Sequence, residues 1–208
     1  GVKAPEKAPS EPDAGKKAPK EPPKKPDAGP KKPEKGQEVA AATPEEPPTC
    51  PRGMIHIRNR RQKTVGYCID RCEYPGCGSR PLTGVSHAKA QALCKGKGKR
   101  LCTEREWTRA CYGRGGSKFP YGKEFDASKC NTEDANGVSR SVAASGSFRR
   151  CRSAWGAYDM SGNVAEWVEG NVTKGGAANT PDYRSHCGSR SRSGANAFVG
   201  FRCCADPE

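Results

Sequence analysis

Two groups of residues near the end of the chain have types and spacings that could do chemistry. The first is Cys187, which follows His186 in the stretch GGAANTPDYRSHCGSRS (175–191). A thiol beside a base can act as a nucleophile, but neighbours in sequence point apart, which is poor geometry for that pair. The alternative is that Cys187 is one half of a disulfide. The residues of this stretch alone leave both roles open.

The second group lies in YDMSGNVAEWV (158–168), where Asp159 and Glu166 are seven positions apart. Calcium takes six to eight oxygens from carboxylates and backbone carbonyls. An acid, a glycine that lets its carbonyl turn inward and a later acid could supply several of them from one loop. Two solvated surface charges are the competing explanation, and the residue types do not exclude it.

The elements that must position these residues are not expected in the first part of the chain. Residues 1–49 contain 12 of the 18 prolines, no cysteine and no aromatic residue, and the tetrad PDAG occurs twice. Such a segment cannot bury enough apolar surface to offset the entropy of ordering it. We therefore predict a disordered, extended linker rich in Pro, Lys, Ala and Glu over 1–49. No signal peptide and no transmembrane segment is predicted, and removal of a leader before Gly1 stays open.

Residues 50–208 form the predicted folded domain. They contain all 12 cysteines, all three tryptophans and every arginine, with 27 basic against 14 acidic side chains. An even number of cysteines without repeated C-x-x-C spacing favours disulfides over zinc thiolates. Apolar residues are sparse and glycine is plentiful, so we expect a loop-rich domain held by crosslinks. Disulfides require an oxidising compartment, which predicts the periplasm, the cell surface or the medium.

Two short helices are predicted before Gly113. Ser86 is the expected N-cap of a helix over HAKAQALC, which the run GKGK ends. Thr103 and Glu106 form a T-x-x-E capping box at the start of the second helix. The second helix should bury one stripe made by Trp107, Ala110 and Cys111. The first should cluster these residues near one face: Ala88, Ala92, Leu93 and Cys94.

Strands and long loops make up the rest of the expected architecture. MIHI (54–57) and VGYCID (65–70) are predicted strands. From Gly113 onward glycine, serine and asparagine dominate, so long ordered loops with isolated strands are expected. Loops of that length inside a compact domain need something to hold them, and disulfides and a bound cation are the candidates.

Several motifs occur in the order seen in one known family. They are YCIDRCEY (67–74), GVSHAKAQALC (84–94), KGKRLCTEREWTRAC (97–111), FPYG (119–122), YDMSGNVAEWV (158–168), KGG (174–176) and VGFRC (199–203). Through them the domain resembles the formylglycine-generating enzyme, or sulfatase-modifying factor, family, whereas the linker does not. The resemblance implies an α+β fold that is irregular, loop-rich, disulfide-stapled and related to C-type lectin domains.

Catalytic members of this family oxidise a sulfatase cysteine to formylglycine with copper held by two cysteines. The matching window here, 177–186, contains no cysteine, and Cys187 matches a structural disulfide position instead. Ala177 and Ala165 stand where catalytic members have a serine and a tryptophan of the oxygen pocket. Because Cu(I) needs soft ligands, the resemblance implies a degenerate member without copper and without catalytic residues. A formylglycine-generating oxidase remains the alternative.

The resemblance also implies particular disulfides. Cys94 would pair with Cys203, with Cys204 as the competing partner, and Cys111 would pair with Cys187. Each bond would close a long loop, worth about 4 kcal/mol in the chain-entropy model. The pairing of the other eight cysteines stays open.

Calcium is the cofactor that the resemblance implies. One ion would be bound by the side chains of Asp159 and Glu166 and by the backbone carbonyls of Gly162 and Val164. A second would lie near Asn131 and Thr132, although the loop EDANGVSRS that completes it is shorter than in catalytic members.

Surplus positive charge bears on the partner of the domain. Arginines cluster at 58–61, at 148–152 and at 184–192, and basic surfaces attract anions. A disulfide-rich compartment favours anionic glycan, lipid headgroups or an acidic protein over nucleic acid. We therefore expect a non-catalytic recognition or structural module that is secreted or belongs to the cell envelope and is displayed on the extended linker. A basic module that binds anionic polysaccharide or nucleic acid is the alternative, as is a basic face without any partner.

Overall fold

The structure is a computed structural model that describes residues 49–59 and 64–208, all within one compact unit. The predicted linker lies outside the described residues except for Thr49. The backbone of Thr49 exchanges two hydrogen bonds with Glu208, at 2.9 and 3.0 Å, so the two ends of the described chain are paired. None of the helices described is long and apolar enough to cross a membrane.

Both predicted helices are present and begin at the predicted caps. Helix α1 spans His87–Lys95, and the Ser86 hydroxyl accepts the Lys89 N–H at 3.2 Å. Helix α2 spans Glu104–Tyr112 behind a complete capping box. Its predicted stripe is confirmed, since Trp107, Ala110 and Cys111 are fully buried. The predicted face of α1 is right in part: Cys94 is buried and Leu93 packs against the core, but Ala88 and Ala92 are exposed and Ala90 is buried in their place.

The first sheet contains the two predicted strands and two short ones from distant parts of the chain. Strands β1 (Met54–Asn59) and β2 (Thr64–Asp70) form an antiparallel pair. Strands β3 (Arg100–Leu101) and β8 (Cys203–Ala205) extend it in the order β1-β2-β8-β3. The C-terminal strand therefore lies in the middle of the sheet, where it joins the first strands to the start of α2.

The second sheet is built from short strands within the glycine-rich half. Strands β4 (Ala165–Val168), β5 (Val172–Lys174), β6 (Arg190–Ser191) and β7 (Val199–Phe201) lie in the order β6-β5-β4-β7. The pair β4–β7 is parallel and the other pairs are antiparallel. Before β4, residues 113–164 run mainly as turns and bends, as the composition predicts.

Six disulfides hold these elements together, and all 12 cysteines take part in them. Cys94 is bonded to Cys203 and Cys111 to Cys187, the pairs that the resemblance implies. Three of the six close loops of 76, 102 and 109 residues, which restricts the unfolded chain most. The remaining pairs are Cys50–Cys68, Cys72–Cys77, Cys102–Cys204 and Cys130–Cys151.

Candidate functional site

A groove of about 570 Å³ lies beside the second sheet and is lined by loops from the last third of the domain. Ala165 and Ala177 both line it. These are the positions at which the resemblance places the tryptophan and the serine of catalytic members, so the structure brings the two together in one groove. Hydroxyl and amide groups make up much of the wall, from Thr173, Thr180, Ser189, Ser191, Ser193 and Asn196.

The charge of the groove comes from two arginines. Arg184 and Arg190 line it, and none of its lining residues is an Asp or a Glu. Arg190 is half exposed and donates from Nε to Glu104 at 3.0 Å, which neutralises it in part. Arg184 is exposed on the 3-10 turn Asp182–Arg184, beside Tyr183, a residue that is 66% exposed. The groove therefore offers a positive wall with many hydrogen-bonding groups.

Cys187 is not a reactive centre in this structure. Its sulfur is bonded to Cys111 and the residue is fully buried. His186 lines the groove, and its Nδ1 accepts the N–H of Gly188 at 3.1 Å. Burial, with the charges of Lys118 and Lys174, lowers the pKa of His186 below its ordinary value, so the ring is neutral at pH 7. Cys187 is therefore half of a disulfide, and His186 beside it is a neutral residue of the groove wall.

The GNVAEW segment carries a charge pair in the interior. Glu166 on β4 and Arg202, next to β8, are both fully buried. The guanidinium donates from Nη2 to Oε1 and from Nε to Oε2, each at 2.6 Å. Trp107 of α2 donates to the same Oε2 at 2.7 Å. Glu166 thus links the second sheet, the C-terminal strand and α2 through one carboxylate.

Two further buried carboxyls surround this pair. Asp159 accepts the N–H of Gly146 at 2.6 Å. Glu73, which sequence reasoning did not single out, accepts from Asn163 Nδ2 at 2.8 Å and also from the Ser145 hydroxyl. Burial, and then the charges of Asp159 and Glu166, raises the pKa of Glu73 well above its ordinary value. Burial likewise raises the pKa of Asp159 to about 6. Glu73 lies in the motif YCIDRCEY, which is the signal that could have found it.

Among the described residues, Arg202 is the one cation whose charge acts on all three acids. Burial acts to lower its pKa, but the carboxylates of Glu166, Glu73 and Asp159 outweigh burial and hold the pKa above its ordinary value. Three buried carboxyls against one guanidinium leave surplus negative charge, which protons or a cation must balance because an unpaired buried charge is costly. The motif VGFRC contains Arg202, but its acid partner could not be read from the sequence.

The predicted second calcium position adjoins the first. Asn131 donates from Nδ2 to Asn163 Oδ1 at 2.9 Å, and its carbonyl accepts the Asn163 N–H at 2.7 Å. Thr132 donates from Oγ1 to the Glu133 carbonyl at 3.1 Å, and both Asn131 and Thr132 are buried. The structure therefore joins the two predicted loops by direct hydrogen bonds.

The surplus negative charge at the first loop favours calcium, whereas the carboxylate side chains do not converge on one point. In the part of the chain that the structure describes, no three His, Cys, Asp or Glu side chains converge as metal ligands do. Glu166 already accepts three hydrogen bonds, whereas a carboxylate offers about four acceptor positions. Asp159, with one oxygen bonded to Gly146, and the carbonyls of Gly162 and Val164 would supply the other ligands. Calcium binding at this loop stays a prediction.

A comparison with protein families classifies the chain. Residues 54–207 match the family described as "Sulfatase-modifying factor enzyme 1-like domain". The match covers most of the chain, so this protein belongs to that family. Its fold is the formylglycine-generating-enzyme-like, C-type-lectin-related fold that the motifs imply.

Two relatives agree with this assignment. A stretch of 98 residues is 37% identical to "Serine/threonine-protein kinase pkn1" of Chlamydia caviae, covering 46% of this chain and 14% of that protein. A stretch of 110 residues is 34% identical to "Inactive C-alpha-formylglycine-generating enzyme 2" of Bos taurus, covering 45% of this chain and 36% of that protein. The chain therefore spans well under two thirds of either relative.

The fold likeness extends further along the chain than these identities. The structure of PvdO from Pseudomonas aeruginosa superposes with a TM-score of 0.54 at 20% identity. The match covers 74% of this chain and 90% of PvdO. At that identity the likeness shows the shared fold alone.

Proposed function

We propose that this domain is a non-catalytic recognition module of a secreted or cell-envelope protein, and that an anionic glycan binds in the groove lined by Arg184 and Arg190. The observation that carries the proposal is the wall of that groove, which has two arginines and no carboxylate among its lining residues. A positive concave surface concentrates anions and orients them. The domain presents this wall on a scaffold that six disulfides hold rigid.

The disulfide-bonded state of the cysteines argues against oxidase chemistry at this groove. Copper(I) needs soft ligands such as thiolates. All 12 cysteines are in disulfides, and Cys187, next to the groove residue His186, is buried and bonded to Cys111. Ala165 and Ala177 replace the two other groups of the oxygen pocket. The similarity to a protein named as an inactive formylglycine-generating enzyme supports the same conclusion.

The chemistry of the wall favours a glycan over an acidic protein. Hydroxyl and amide groups, such as those of Thr180 and Asn196, can pair with sugar hydroxyls as both donors and acceptors. The exposed ring of Tyr183 offers an aromatic face beside the groove. A volume of about 570 Å³ is within the range of pockets that hold small ligands or a few sugar units. The arginines would pair with carboxylate or sulfate groups.

Retention on an immobilised anionic polysaccharide tests this proposal with the full chain. Replacing both arginines, as Arg184→Gln with Arg190→Gln, should weaken binding about tenfold or more, which corresponds to ~1.4 kcal/mol. Arg80→Gln is the matched control, because Arg80 is exposed and does not line the groove. Salt should weaken binding of the wild type. Equal losses in the double variant and the control would refute the groove as the site.

We further propose that calcium stabilises the GNVAEW loop. The surplus of buried carboxyls supports this proposal, since a divalent cation would balance them at neutral pH. Asp159 and Glu166 would supply carboxylate oxygens, and Gly162 and Val164 would supply carbonyl oxygens. A melting temperature that rises with millimolar calcium and falls with a chelator would support this role, and equal melting temperatures would contradict it.

A further inference from the structure

A second cleft, separate from the groove, lies at the end of strand β2. Its volume is about 370 Å³, and none of its lining residues lines the groove. The walls come from the end of β2, the loop closed by Cys72–Cys77, the turn after helix α1, the start of β1 and Cys203 of β8. The glycine–lysine run GKGK, which the proposed function does not use, forms one of these walls.

Three cations line this cleft without an acidic partner among the described residues. Arg52, Arg71 and Lys97 are exposed, and none makes an ion pair with a residue that the structure describes. Each cation comes from a different segment of the chain. A cleft lined by charges of one sign focuses the field and raises the local concentration of counter-ions.

Among the described residues that line the cleft, Asp70 is the one acid, and it is already paired. Asp70 accepts from Lys99 Nζ at 2.6 Å through Oδ1 and from the Cys203 N–H at 3.0 Å through Oδ2. Lys99 also lines the cleft, so this pair leaves the charge of the other three cations uncompensated. Within the part of the chain that the structure describes, an entering anion would meet three cations without an ion-pair partner and no unpaired carboxylate from the lining residues.

The backbone that carries these cations is fixed. Cys72, Cys77 and Cys203 line the cleft, and each of them is in a disulfide. The Cys94 carbonyl accepts the N–H groups of Lys97 at 2.9 Å and Lys99 at 3.0 Å, which sets the turn after α1. A frame held in this way loses little backbone freedom when a ligand binds, and preorganisation of that kind favours affinity.

We propose that this cleft is a second binding site, specific for a phosphate or sulfate ester group. The volume admits a compact headgroup and not the surface of a folded protein. Three cations around so small a space match a group that carries its charge on several oxygens, and arginine is suited to such groups because it donates two parallel hydrogen bonds. The proposal uses none of the groove residues and stands apart from the proposed function.

Titration of the full chain with inorganic phosphate and with inorganic sulfate, followed by amide chemical shifts, tests the site. We expect shifts centred on the Lys97 turn and the Arg71 segment. Lys97→Gln should weaken binding about fivefold or more, which is ~1 kcal/mol. Lys95→Gln is the matched control, because Lys95 ends α1 two residues earlier, is exposed and does not line the cleft. Equal effects of the two variants, or shifts centred elsewhere, would overturn the proposal.

Two further probes distinguish the source of the ester. Vesicles of phosphatidylcholine with phosphatidic acid present a lipid phosphate, and dextran sulfate presents a sulfated glycan. The cleft is supported if the binding of either probe falls in Lys97→Gln and persists in the Arg184→Gln, Arg190→Gln double variant. The probe that behaves in this way identifies the source of the ester group. If the binding of both probes falls only in the double variant, the result supports the groove and overturns the cleft.

Discussion

Replacement of Arg202 by glutamine is the perturbation with the largest effect that the structure allows us to work out. Arg202 is fully buried and donates two hydrogen bonds of 2.6 Å to the Glu166 carboxylate. Without the guanidinium, Glu166 keeps the hydrogen bond from the Trp107 N–H and becomes an uncompensated buried charge. Arg202 also donates to the carbonyls of Asp70 and Tyr158, at 3.1 and 2.8 Å, which would lose their donor.

The expected loss follows from burial. Breaking a buried ion pair by removing one partner costs about 3–5 kcal/mol. For a domain of 150–250 residues, 1 kcal/mol corresponds to roughly 2–4 °C, so the melting temperature should fall by about 6–20 °C. Arg100→Gln is the matched control, because Arg100 makes a bidentate pair of similar length with Glu106, at 2.7 Å for both bonds, and contacts Asp206 at 3.0 Å, but is one third exposed. Pairs of that kind contribute about 0–1 kcal/mol.

Thermal and denaturant unfolding of both variants, with the disulfides intact, would measure this difference. We expect Arg202→Gln to lose several times more stability than Arg100→Gln. A loss no greater than that of the control would refute the reasoning that Glu166 is paired in a dry interior. It would also remove the charge argument from which the calcium proposal starts.

Two further predictions concern the same loop. A Cβ at Gly162, where φ is +79°, would lie 2.3 Å from the Asn131 carbonyl oxygen. Gly170 has a similar φ of +81° but open space around it, so Gly162→Ala should lower the melting temperature far more than Gly170→Ala. Equal falls in melting temperature would mean that the strain of the positive φ alone matters. Burial raises the pKa of Asp159 from 3.8 to about 6, so the native state without calcium, prepared with a chelator, holds the Asp159 proton more tightly than the unfolded chain does. The stability that this proton contributes is present below about pH 4 and is lost as the pH rises through about 6. At about 1.4 kcal/mol per pK unit, this loss of stability is ~3 kcal/mol. In denaturant unfolding the loss should disappear in Asp159→Asn and become smaller when calcium is added. An unchanged dependence of stability on pH in the variant would contradict the prediction.

Local signals were sufficient to predict both helices and the strands β1 and β2, whereas the two-residue strand β3 (Arg100–Leu101) was not predicted. The caps at Ser86 and Thr103 depend on side-chain to backbone bonds within three residues, so the sequence shows them directly. Strands β1 and β2 show the pattern of apolar and β-branched residues that a strand requires. The face of α1 could not be read in the same way, because alanine is compatible with either a buried or an exposed position. The Cys94–Cys203 bond, rather than apolar periodicity, fixes which side of α1 faces inward.

The interior network depends on contacts that no local pattern contains. Glu73 lies 90 positions before Asn163 and Arg202 lies 36 positions after Glu166, yet each pair is in direct contact. Motifs marked all these segments as important without stating which side chains meet. The groove was missed for the same reason, since its walls come from loops whose mutual placement follows from the second sheet. Ala165 and Ala177 were identified as replaced positions, but only the fold shows that both line one groove.

Reaction with a peptide that carries the sulfatase-type cysteine, in the presence of copper and oxygen, tests the claim of a non-catalytic groove most directly. The peptide mass, followed by mass spectrometry, should stay that of the unmodified cysteine, because all 12 cysteines of the domain are in disulfides and Cys187 is bonded to Cys111. Formation of the formylglycine product by the wild-type chain, and its loss in Cys187→Ser, would contradict the account.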